Sequence, residues 1–240
     1  MRTIILTLLL SLICTLAVSQ NVYLVAVGIA DYPGTKNDLV LPVADASAIV
    51  ELYKTNKSAR TRLIVNNNAT RKTIIETTQS LFDQARANDI VVLFFSGHGY
   101  PGGFMAYDQK LDYTDVKNIF SLCKSKHKMV FADACFSGTL RDTNGEKQKA
   151  NDKYNGDVML FLSSRHNETS IEAPSMKNGL FTTCLVRCLK GGSDYNKDRV
   201  ITAKELYTGV SEGVIRLSGG KQHPVMWGNF NDNMAILKWK

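Results

Sequence analysis

Residues 90–99 have the sequence IVVLFFSGHG, in which six apolar residues run without interruption into a turn of small residues around one histidine. A strand with one face in water alternates apolar and polar side chains, whereas a strand covered on both faces is apolar throughout. The run Ile90–Phe95 therefore predicts a central strand of a parallel sheet that helices cover on both faces.

Similar strands and amphipathic helices flank this run in alternating order. Further strands are predicted at Val22–Ile29, Met129–Ala132, Val158–Leu162 and, at the end of the chain, Met234–Trp239. Apolar residues at helical spacing predict helices in the segments 48–53, 74–85, 180–188 and 206–215. The predicted fold class is therefore α/β, an open sandwich with a mostly parallel central sheet.

The composition is that of a globular protein. The chain has 240 residues, of which 44% are hydrophobic and 21% charged, and this excludes a disordered chain, a fibre and a polytopic membrane protein. Its 29 basic and 22 acidic residues give a net charge of +7, but the basic residues are spread out and are not interleaved with aromatic ones. Nucleic acid is therefore not expected as a partner, and the oligomeric state is left open.

The first 19 residues have the features of a secretory signal peptide. Arg2 precedes the apolar run Ile4–Val18, and Ser19 ends a small-x-small cleavage pattern. Residues 20–240 would then be one mature domain, secreted or periplasmic and without a membrane partner. Two alternatives stay open. One is a retained membrane anchor, for which the run is short; the other is a lipoprotein modified at Cys14, which lacks the small residue needed before it.

Two predicted strands end in turns that carry chemically active side chains. Ile90–Phe95 leads into His98, and the strand at Met129–Ala132 leads into Cys135. Parallel strands bring their carboxyl ends to one edge of a sheet, where an imidazole can take the proton of a thiol and later protonate a leaving amine. His98 and Cys135 are therefore the candidate catalytic pair, and the main-chain N–H groups of Gly99 and Cys135 are a candidate oxyanion hole. Taken alone, a cysteine after a strand is more often a buried structural residue.

The two turns, Ser-Gly-His-Gly at 96–99 and Asp-Ala-Cys-Phe-Ser-Gly at 133–138, resemble those of the caspase-like cysteine peptidases (peptidase family C14), and more closely those of their metacaspase branch. The histidine and the cysteine lie 37 residues apart. Segments 25–29, 41–46 and 179–182 also resemble family segments, although a proline at position 42 replaces a cysteine of the family pattern. The resemblance extends from residue 22 to about residue 238. It implies a caspase-like three-layer α/β/α sandwich and a thiol endopeptidase.

The resemblance also implies a preference for basic substrates. Asp133 stands where caspases have the glutamine that helps to hold a substrate aspartate, and a carboxylate there favours Arg or Lys at the P1 position. In metacaspases the positions of Asp45 and Ser96 complete the pocket. Ser163 ends a strand that borders the substrate cleft in the family, so it is a candidate substrate contact. For Asp45 the alternative is an ordinary helix N-cap. The expected partners are therefore protein or peptide substrates with basic P1 residues.

The polar segment 139–157 separates two buried strands and lies between the large- and small-subunit regions of the family. It contains Arg141, Lys147, Lys149 and Lys153. An enzyme with a basic P1 preference could therefore process itself in this loop, and a tolerated surface insertion is the alternative.

The resemblance implies an enzyme that requires no cofactor. Calcium binding is a possibility that one sequence segment raises. Residues 194–205 fit part of an EF-hand loop, but Arg199 takes the place of the glycine at the sharp turn of such a loop. The candidate metal ligands are Asp194, Asn196, Asp198 and Glu205. A hydrogen-bonded turn before a helix, with Thr202 as N-cap, is the alternative.

These features together predict a hydrolase, a cysteine endopeptidase that cleaves after Arg or Lys by a Cys-His dyad. A catalytically silent caspase-like domain with a binding or regulatory role is the main alternative, and a calcium-binding structural module is a third.

Overall fold

A computed structural model describes residues 20–134, 157–164 and 176–238 of the chain. Its strands are β1 (Val22–Gly28), β2 (Ala59–Val65), β3 (Ile90–Ser96), β4 (Gly99–Tyr100), β5 (Gly103–Met105), β6 (Lys110–Asp112), β7 (His127–Asp133), β8 (Asp157–Leu162), β9 (Val200–Thr202), β10 (Val225–Asn229) and β11 (Ala235–Lys238). Its α-helices are α1 (Pro42–Lys54), α2 (Arg71–Phe82), α3 (Tyr113–Leu122), α4 (Leu180–Arg187) and α5 (Ala203–Leu217).

Among these residues, six strands form a central sheet in the order β10-β8-β7-β3-β1-β2. The pairs that join β2, β1, β3, β7 and β8 are all parallel, and only the pairing of β10 with β8 is antiparallel. The uninterrupted apolar runs of the sequence therefore predicted the mostly parallel sheet correctly.

Helices cover both faces of the sheet and form two apolar cores with it. Neighbouring residues of β3 point to opposite sides: Phe94 packs in the core that α1, α4 and α5 share, and Phe95 packs in the core that α2 and α3 share. Both side chains are buried. The architecture is thus the three-layer α/β/α sandwich that the resemblance implied.

The parallel register aligns the carboxyl ends of three neighbouring strands. Ser96 at the end of β3 pairs with Gly28 at the end of β1 and with Asp133 at the end of β7. A Cβ at Gly28 would lie 2.3 Å from the Pro42 carbonyl oxygen. Glycine therefore allows α1 to begin directly over the end of β1, and the first turn of this helix lies at the same edge as Ser96 and Asp133.

The structure differs from the predicted elements at the end of the chain and in the segment 99–122, where α3 was not predicted either. The predicted final strand is shorter, Ala235–Lys238, and pairs with β9 instead of joining the central sheet. The edge position belongs to β10, whose glycine and short length hide the strand pattern. The short strands β4, β5 and β6 form a separate three-stranded sheet that periodicity did not predict, because two or three residues show no period.

Two of the sequence-based predictions concern residues that the structure does not describe. The signal peptide at 1–19 and the polar loop at 139–156 lie outside the described residues, and Asp157 is the first residue of β8. Across the described ranges, no helix has the length and apolar character needed to cross a membrane.

Candidate active site

The main chain of His98 is held by a tyrosine from the loop after β1. The His98 N–H donates to the Tyr32 hydroxyl oxygen at 3.0 Å, and that hydroxyl donates to the Met105 carbonyl at 3.0 Å. Burial raises the pKa of Tyr32, which keeps the hydroxyl protonated as this donor. A Cβ at Gly97 would lie only 2.6 Å from the Tyr32 oxygen. The close approach explains why glycine precedes His98.

The half-buried His98 ring is oriented by a main-chain carbonyl. Its Nε2 lies 2.7 Å from the Asn37 carbonyl oxygen. A carbonyl oxygen only accepts, so Nε2 carries the hydrogen, and in the neutral ring Nδ1 is left as the basic nitrogen. The Tyr32 ring packs against the imidazole, with ring centroids 4.8 Å apart. These contacts give the ring one defined tautomer and orientation, which a general base needs.

Two carboxylates and one hydroxyl meet at the carboxyl edge of the sheet. The register pairs Ser96 with Asp133, and the Ser96 hydroxyl donates to Asp45 Oδ2 at 2.9 Å. The exposed fractions are 0% for Asp45, 1% for Ser96 and 6% for Asp133. Helix α1 begins at Pro42 and places Asp45 in its first turn, with Leu41 as N-cap. The alternative that Asp45 is the N-cap is therefore wrong.

The beginning of α4 donates hydrogen bonds to both carboxylates. Asp45 Oδ1 accepts from the Gly179 N–H at 2.9 Å and from the Asn178 side chain at 3.0 Å. Asp133 Oδ2 accepts from the Thr182 N–H at 3.1 Å and from the Thr182 hydroxyl at 2.8 Å. Asp133 thus supplies the capping oxygen that the N-cap residue Gly179 lacks, and a helix N-terminus favours a negative charge.

Gly179 leaves space between the two carboxylates. A Cβ at this position would lie 2.5 Å from Asp133 Oδ2 and 3.2 Å from Asp45 Oδ2. Any other residue would push a side chain into the pair. Glycine therefore lets α4 approach both acids and keeps the region between them free of a side chain from position 179.

The electrostatics of the pair are unfavourable when both groups are charged. Burial, and then the negative charge of Asp133, raise the pKa of Asp45 to about 7, although hydrogen bonds from Gly179, Asn178 and Ser96 act in the opposite direction. Near neutral pH, Asp45 is therefore protonated part of the time. A cation placed between the two groups would favour the doubly ionised pair.

Ser163 lies in a different setting from the one expected for a substrate contact. Its side chain is fully buried, and its hydroxyl lies 3.2 Å from both the N and the O of Ala134, the residue before Cys135. The Ser163 N–H donates to the Ala132 carbonyl at 2.9 Å. These contacts hold main chain at the end of β7.

The strand ends and the first turn of α1 bring five of the predicted site residues to one edge of the sheet. They are Asp45, Ser96, His98, Gly99 and Asp133. Cys135 lies outside the described residues, so its approach to His98 stays a prediction. Sequence reasoning missed Tyr32 and Asn37, which lie in a loop without periodicity. It noted the Gly179–Thr182 segment as a family feature without assigning the residues a role.

The EF-hand-like segment begins with a hydrogen-bonded turn. The Asp194 carboxylate accepts from the N–H groups of Asp198 at 3.2 Å and Arg199 at 3.1 Å, and Asn196 Oδ1 accepts from the Asp198 N–H at 2.9 Å. Arg199 has φ +65°, a conformation in which glycine is favoured. The loop therefore makes the sharp turn with arginine.

Glu205, the last candidate metal ligand, belongs to a helix cap. Its Oε2 accepts from the Thr202 N–H at 3.0 Å and hydroxyl at 2.8 Å, and Thr202 is the N-cap of α5. In the part of the chain that the structure describes, no three His, Cys, Asp or Glu side chains are gathered where they could hold a metal ion. The geometry is that of the alternative, a turn before a helix, and calcium binding stays a prediction.

Three other cysteines are structural. Cys123, Cys184 and Cys188 are buried and form no disulfide. Burial raises the pKa of each thiol, to about 11 for Cys188, and buried thiols with raised pKa values are poor nucleophiles. With Cys14 in the predicted signal peptide, Cys135 is left as the candidate nucleophile.

Comparison with known proteins places this arrangement in a family. The family model Peptidase C14, caspase domain, matches residues 22–234. The chain therefore belongs to the caspase domain family, whose members are generally cysteine peptidases. A search of curated proteins found no match.

Solved structures support the same fold. Protein GSU0716 from Geobacter sulfurreducens is 17% identical with a TM-score of 0.68, over 92% of this chain and 97% of that one. Caspase-1 from Spodoptera frugiperda is 13% identical with a TM-score of 0.67, over 90% of this chain and 88% of that one. At these identities the similarity establishes the caspase-like fold.

The raised pKa of Asp45 predicts how the stability of the protein depends on pH. Asp45 has a pKa of about 7 in the folded chain against a usual 3.8, so between these values the folded state binds more protons than the unfolded state. The free energy of unfolding therefore falls as pH rises through this window. We expect Asp45→Asn to remove this loss and to stabilise the protein at pH 8 by on the order of 1–2 kcal/mol, measured by urea denaturation.

The matched control is Asp83→Asn, because Asp83 is exposed. The gain from Asp45→Asn should grow from about pH 4 to about pH 7 and then level off, and at pH 8 it should exceed any effect of Asp83→Asn. A gain that is the same at all pH values would contradict the raised pKa.

Proposed function

We propose that this chain is a cysteine endopeptidase that cleaves peptide bonds after Arg or Lys, with Cys135 as nucleophile and His98 as general base and acid. The observation that carries the proposal is the buried pair Asp45 and Asp133, at the sheet edge that also carries His98. Burial and the charge of Asp133 raise the pKa of Asp45 to about 7, and acids with such strongly shifted pKa values are typical of functional sites. Membership of a family of cysteine peptidases supports the same activity.

The first half of the proposed reaction forms an acyl-enzyme. His98 Nδ1 takes the proton of the Cys135 thiol, and the sulfur attacks the carbonyl carbon of the scissile bond. The Asn37 carbonyl, 2.7 Å from Nε2, stabilises the imidazolium that results. The imidazolium then gives its proton to the leaving amine, the C–N bond breaks, and a thioester remains.

The second half of the reaction releases the acid product. His98 takes a proton from water, the resulting hydroxide attacks the thioester, and the sulfur leaves and is reprotonated. The main-chain N–H groups of Gly99 and Cys135 are the proposed donors to the oxyanion in both halves. The Tyr32 hydrogen bond to the His98 N–H supports this role, because it fixes the turn that leads into Gly99.

Specificity follows from the charge of the pocket. A P1 guanidinium can bridge the carboxylates of Asp45 and Asp133 through paired charge-assisted hydrogen bonds, and an ammonium can contact both. A P1 aspartate would add a third negative charge to a buried acidic pair. This preference for basic residues is that of the metacaspase-like branch and opposite to that of caspases.

We also propose that residues 1–19 are removed as a signal peptide and that the mature enzyme is secreted or periplasmic. The proposed chemistry uses only side chains and main-chain groups of this chain and requires no metal. Calcium at the 194–205 loop would then be structural or regulatory, and a chelator tests for it directly.

Peptide cleavage tests the proposal. We expect mature protein to cleave peptides with Arg or Lys at P1 and to leave the matching Asp peptide intact, in a fluorogenic assay run with calcium and with a chelator. Asp133→Asn should reduce kcat/KM for the Arg peptide about 100-fold or more, because removing one partner of a buried ion pair costs about 3–5 kcal/mol.

Cys135→Ala and His98→Ala are the controls for this assay, and Cys184→Ala is the matched control for the nucleophile. The first two should be inactive, and the third should retain activity because Cys184 is a buried helix residue. Cleavage after Asp would contradict the acidic pocket. No cleavage of any peptide would support the alternative, a silent caspase-like domain that binds or regulates.

Self-processing in the 139–157 loop is a separate prediction. The loop contains Arg141, Lys147 and Lys149, which fit the proposed P1 preference. Wild-type protein should separate into two fragments on a denaturing gel, and Cys135→Ala should stay whole. An uncut wild type that nevertheless cleaves peptides would show that the loop is not a substrate.

A further inference from the structure

We propose that Tyr32 is a positioning residue for His98, and that its hydroxyl takes the place of a hydrogen bond that the strand ladder beside His98 would otherwise make directly. This inference rests on the proposed peptidase function, in which His98 is the general base and acid. Through the same ladder, Tyr32 would also set the direction of the Gly99 N–H, a proposed donor to the oxyanion.

His98 and Met105 lie opposite each other at the open end of the β4–β5 hairpin. In a hydrogen-bonded pair of an antiparallel ladder, the two residues exchange both of their N–H···O=C bonds directly. Here the Met105 N–H donates directly to the His98 carbonyl at 2.9 Å. The other bond passes through Tyr32, whose hydroxyl accepts from the His98 N–H and donates to the Met105 carbonyl, each at 3.0 Å. The Tyr32 oxygen therefore lies inside the ladder and holds the His98 main chain away from β5.

The ladder also determines where the Gly99 N–H points. Along an antiparallel pair of strands, hydrogen-bonded pairs alternate with pairs that are not hydrogen-bonded. Gly99 pairs with Phe104, one position along from His98 and Met105. Its pair is therefore of the second kind, and its N–H points away from β5. A donor that the hairpin does not use is available to a developing oxyanion.

One loop carries both groups that contact the His98 ring. The Tyr32 ring packs against the imidazole with centroids 4.8 Å apart, and the Asn37 carbonyl oxygen lies 2.7 Å from Nε2. The Tyr32 N–H donates to Asp38 Oδ1 at 3.2 Å, which ties Tyr32 to the residue beside Asn37. The loop therefore holds the main chain and the ring of His98 as one unit.

Without the Tyr32 hydroxyl, the His98 N–H and the Met105 carbonyl would either pair directly or lose their partner. Direct pairing would draw His98 toward β5. Loss of the partner would leave polar groups beside a side chain that is only 6% exposed, which is costly. Both outcomes displace or loosen His98. The hydrogen bonds to the Asp45 carboxylate come from other residues and would stay in place.

Tyr23 provides a matched control. Its exposed fraction is 3%, against 6% for Tyr32, and its hydroxyl donates to the Gln84 main-chain carbonyl at 3.1 Å. Tyr23 lies at the amino end of β1, at the opposite edge of the sheet from His98. Tyr23→Phe thus removes the hydroxyl of a buried tyrosine with a main-chain partner, far from the candidate active site.

The first measurement compares kcat and KM for an Arg peptide in wild type, Tyr32→Phe and Tyr23→Phe, with folding checked by circular dichroism. We expect Tyr32→Phe to lower kcat about 10- to 100-fold, because a displacement of about 1 Å at a reacting group can cost about 100-fold. KM should stay within about twofold, since the acidic pocket is unchanged. Tyr23→Phe should keep the wild-type kcat.

The second measurement follows the tautomer of the His98 ring by nuclear magnetic resonance and separates positioning from general damage. In Cys135→Ala protein with ¹⁵N-labelled histidine at about pH 8, we expect one tautomer with its hydrogen on Nε2, because the Asn37 carbonyl accepts from that atom. Adding Tyr32→Phe should give a mixture of both tautomers, since a displaced ring loses this contact. Adding Tyr23→Phe should keep the single tautomer, and a His98→Ala spectrum assigns the signals.

Several outcomes would overturn the inference and leave the peptidase proposal intact. They are an unchanged kcat in Tyr32→Phe, an equal loss of kcat in Tyr23→Phe, and a single Nε2–H tautomer that persists in Tyr32→Phe. A mixture of tautomers with Tyr32 in place would have the same consequence. A wild type that cleaves no peptide would overturn the proposed function and this inference together.

A surface variant keeps the inference testable if Tyr32→Phe does not fold. Asp38→Ala removes the acceptor of the Tyr32 N–H, and Asp31→Ala in the same loop is its control, because both side chains are exposed. Asp38→Ala should lower kcat about threefold to tenfold, since it acts one contact further from His98. An unchanged kcat in this variant would then contradict the role of the loop.

Discussion

The carboxylates of Asp45 and Asp133 lie buried beside each other at the carboxyl edge of the sheet, and several elements are arranged around that pair. The β3–β7 register sets Asp133 next to Ser96, and the first turn of α1 brings Asp45 to the same hydroxyl. The beginning of α4 donates to both acids from Gly179 and Thr182. A shift in any of these elements would leave a buried charge without its partners, which is among the most costly changes a fold can suffer.

The hydrogen bonds around Asp45 offset the cost of burying its charge only in part. Hydrogen bonds and a helix N-terminus lower the cost of the charges, yet the pKa of Asp45 still rises to about 7 because burial and Asp133 act more strongly. We therefore expect the protein to be less stable near neutral pH than it would be with a neutral side chain at position 45. In the proposed function, a substrate cation would favour the ionised form of Asp45, which would link this cost to selectivity for a basic residue.

The uninterrupted apolar runs predicted the sheet, and the strand ends predicted the place of His98, because these features depend on local sequence and on one rule of parallel sheets. Asp45, Ser96 and Asp133 were expected only because the sequence resembles metacaspases. Tyr32 and Asn37 were missed because they act through contacts made by an irregular loop, where no spacing marks them. Ser163 was noted for its place at a strand end, but its contact with Gln222 joins residues 59 positions apart. The N-cap alternative for Asp45 was wrong because Pro42 begins the helix three residues earlier.

The proton balance of substrate binding tests the acidic pocket most directly. Calorimetry would follow the binding of an Arg peptide to inactive Cys135→Ala protein in buffers of different ionisation enthalpy. Since the cation should ionise Asp45, binding at about pH 6.5 should release a large fraction of one proton, and the release should fade by about pH 8.5 and be absent in a variant that also carries Asp45→Asn. Binding without proton release at every pH, or equally tight binding of an Asp peptide, would contradict a pocket in which Asp45 and Asp133 bind a basic residue.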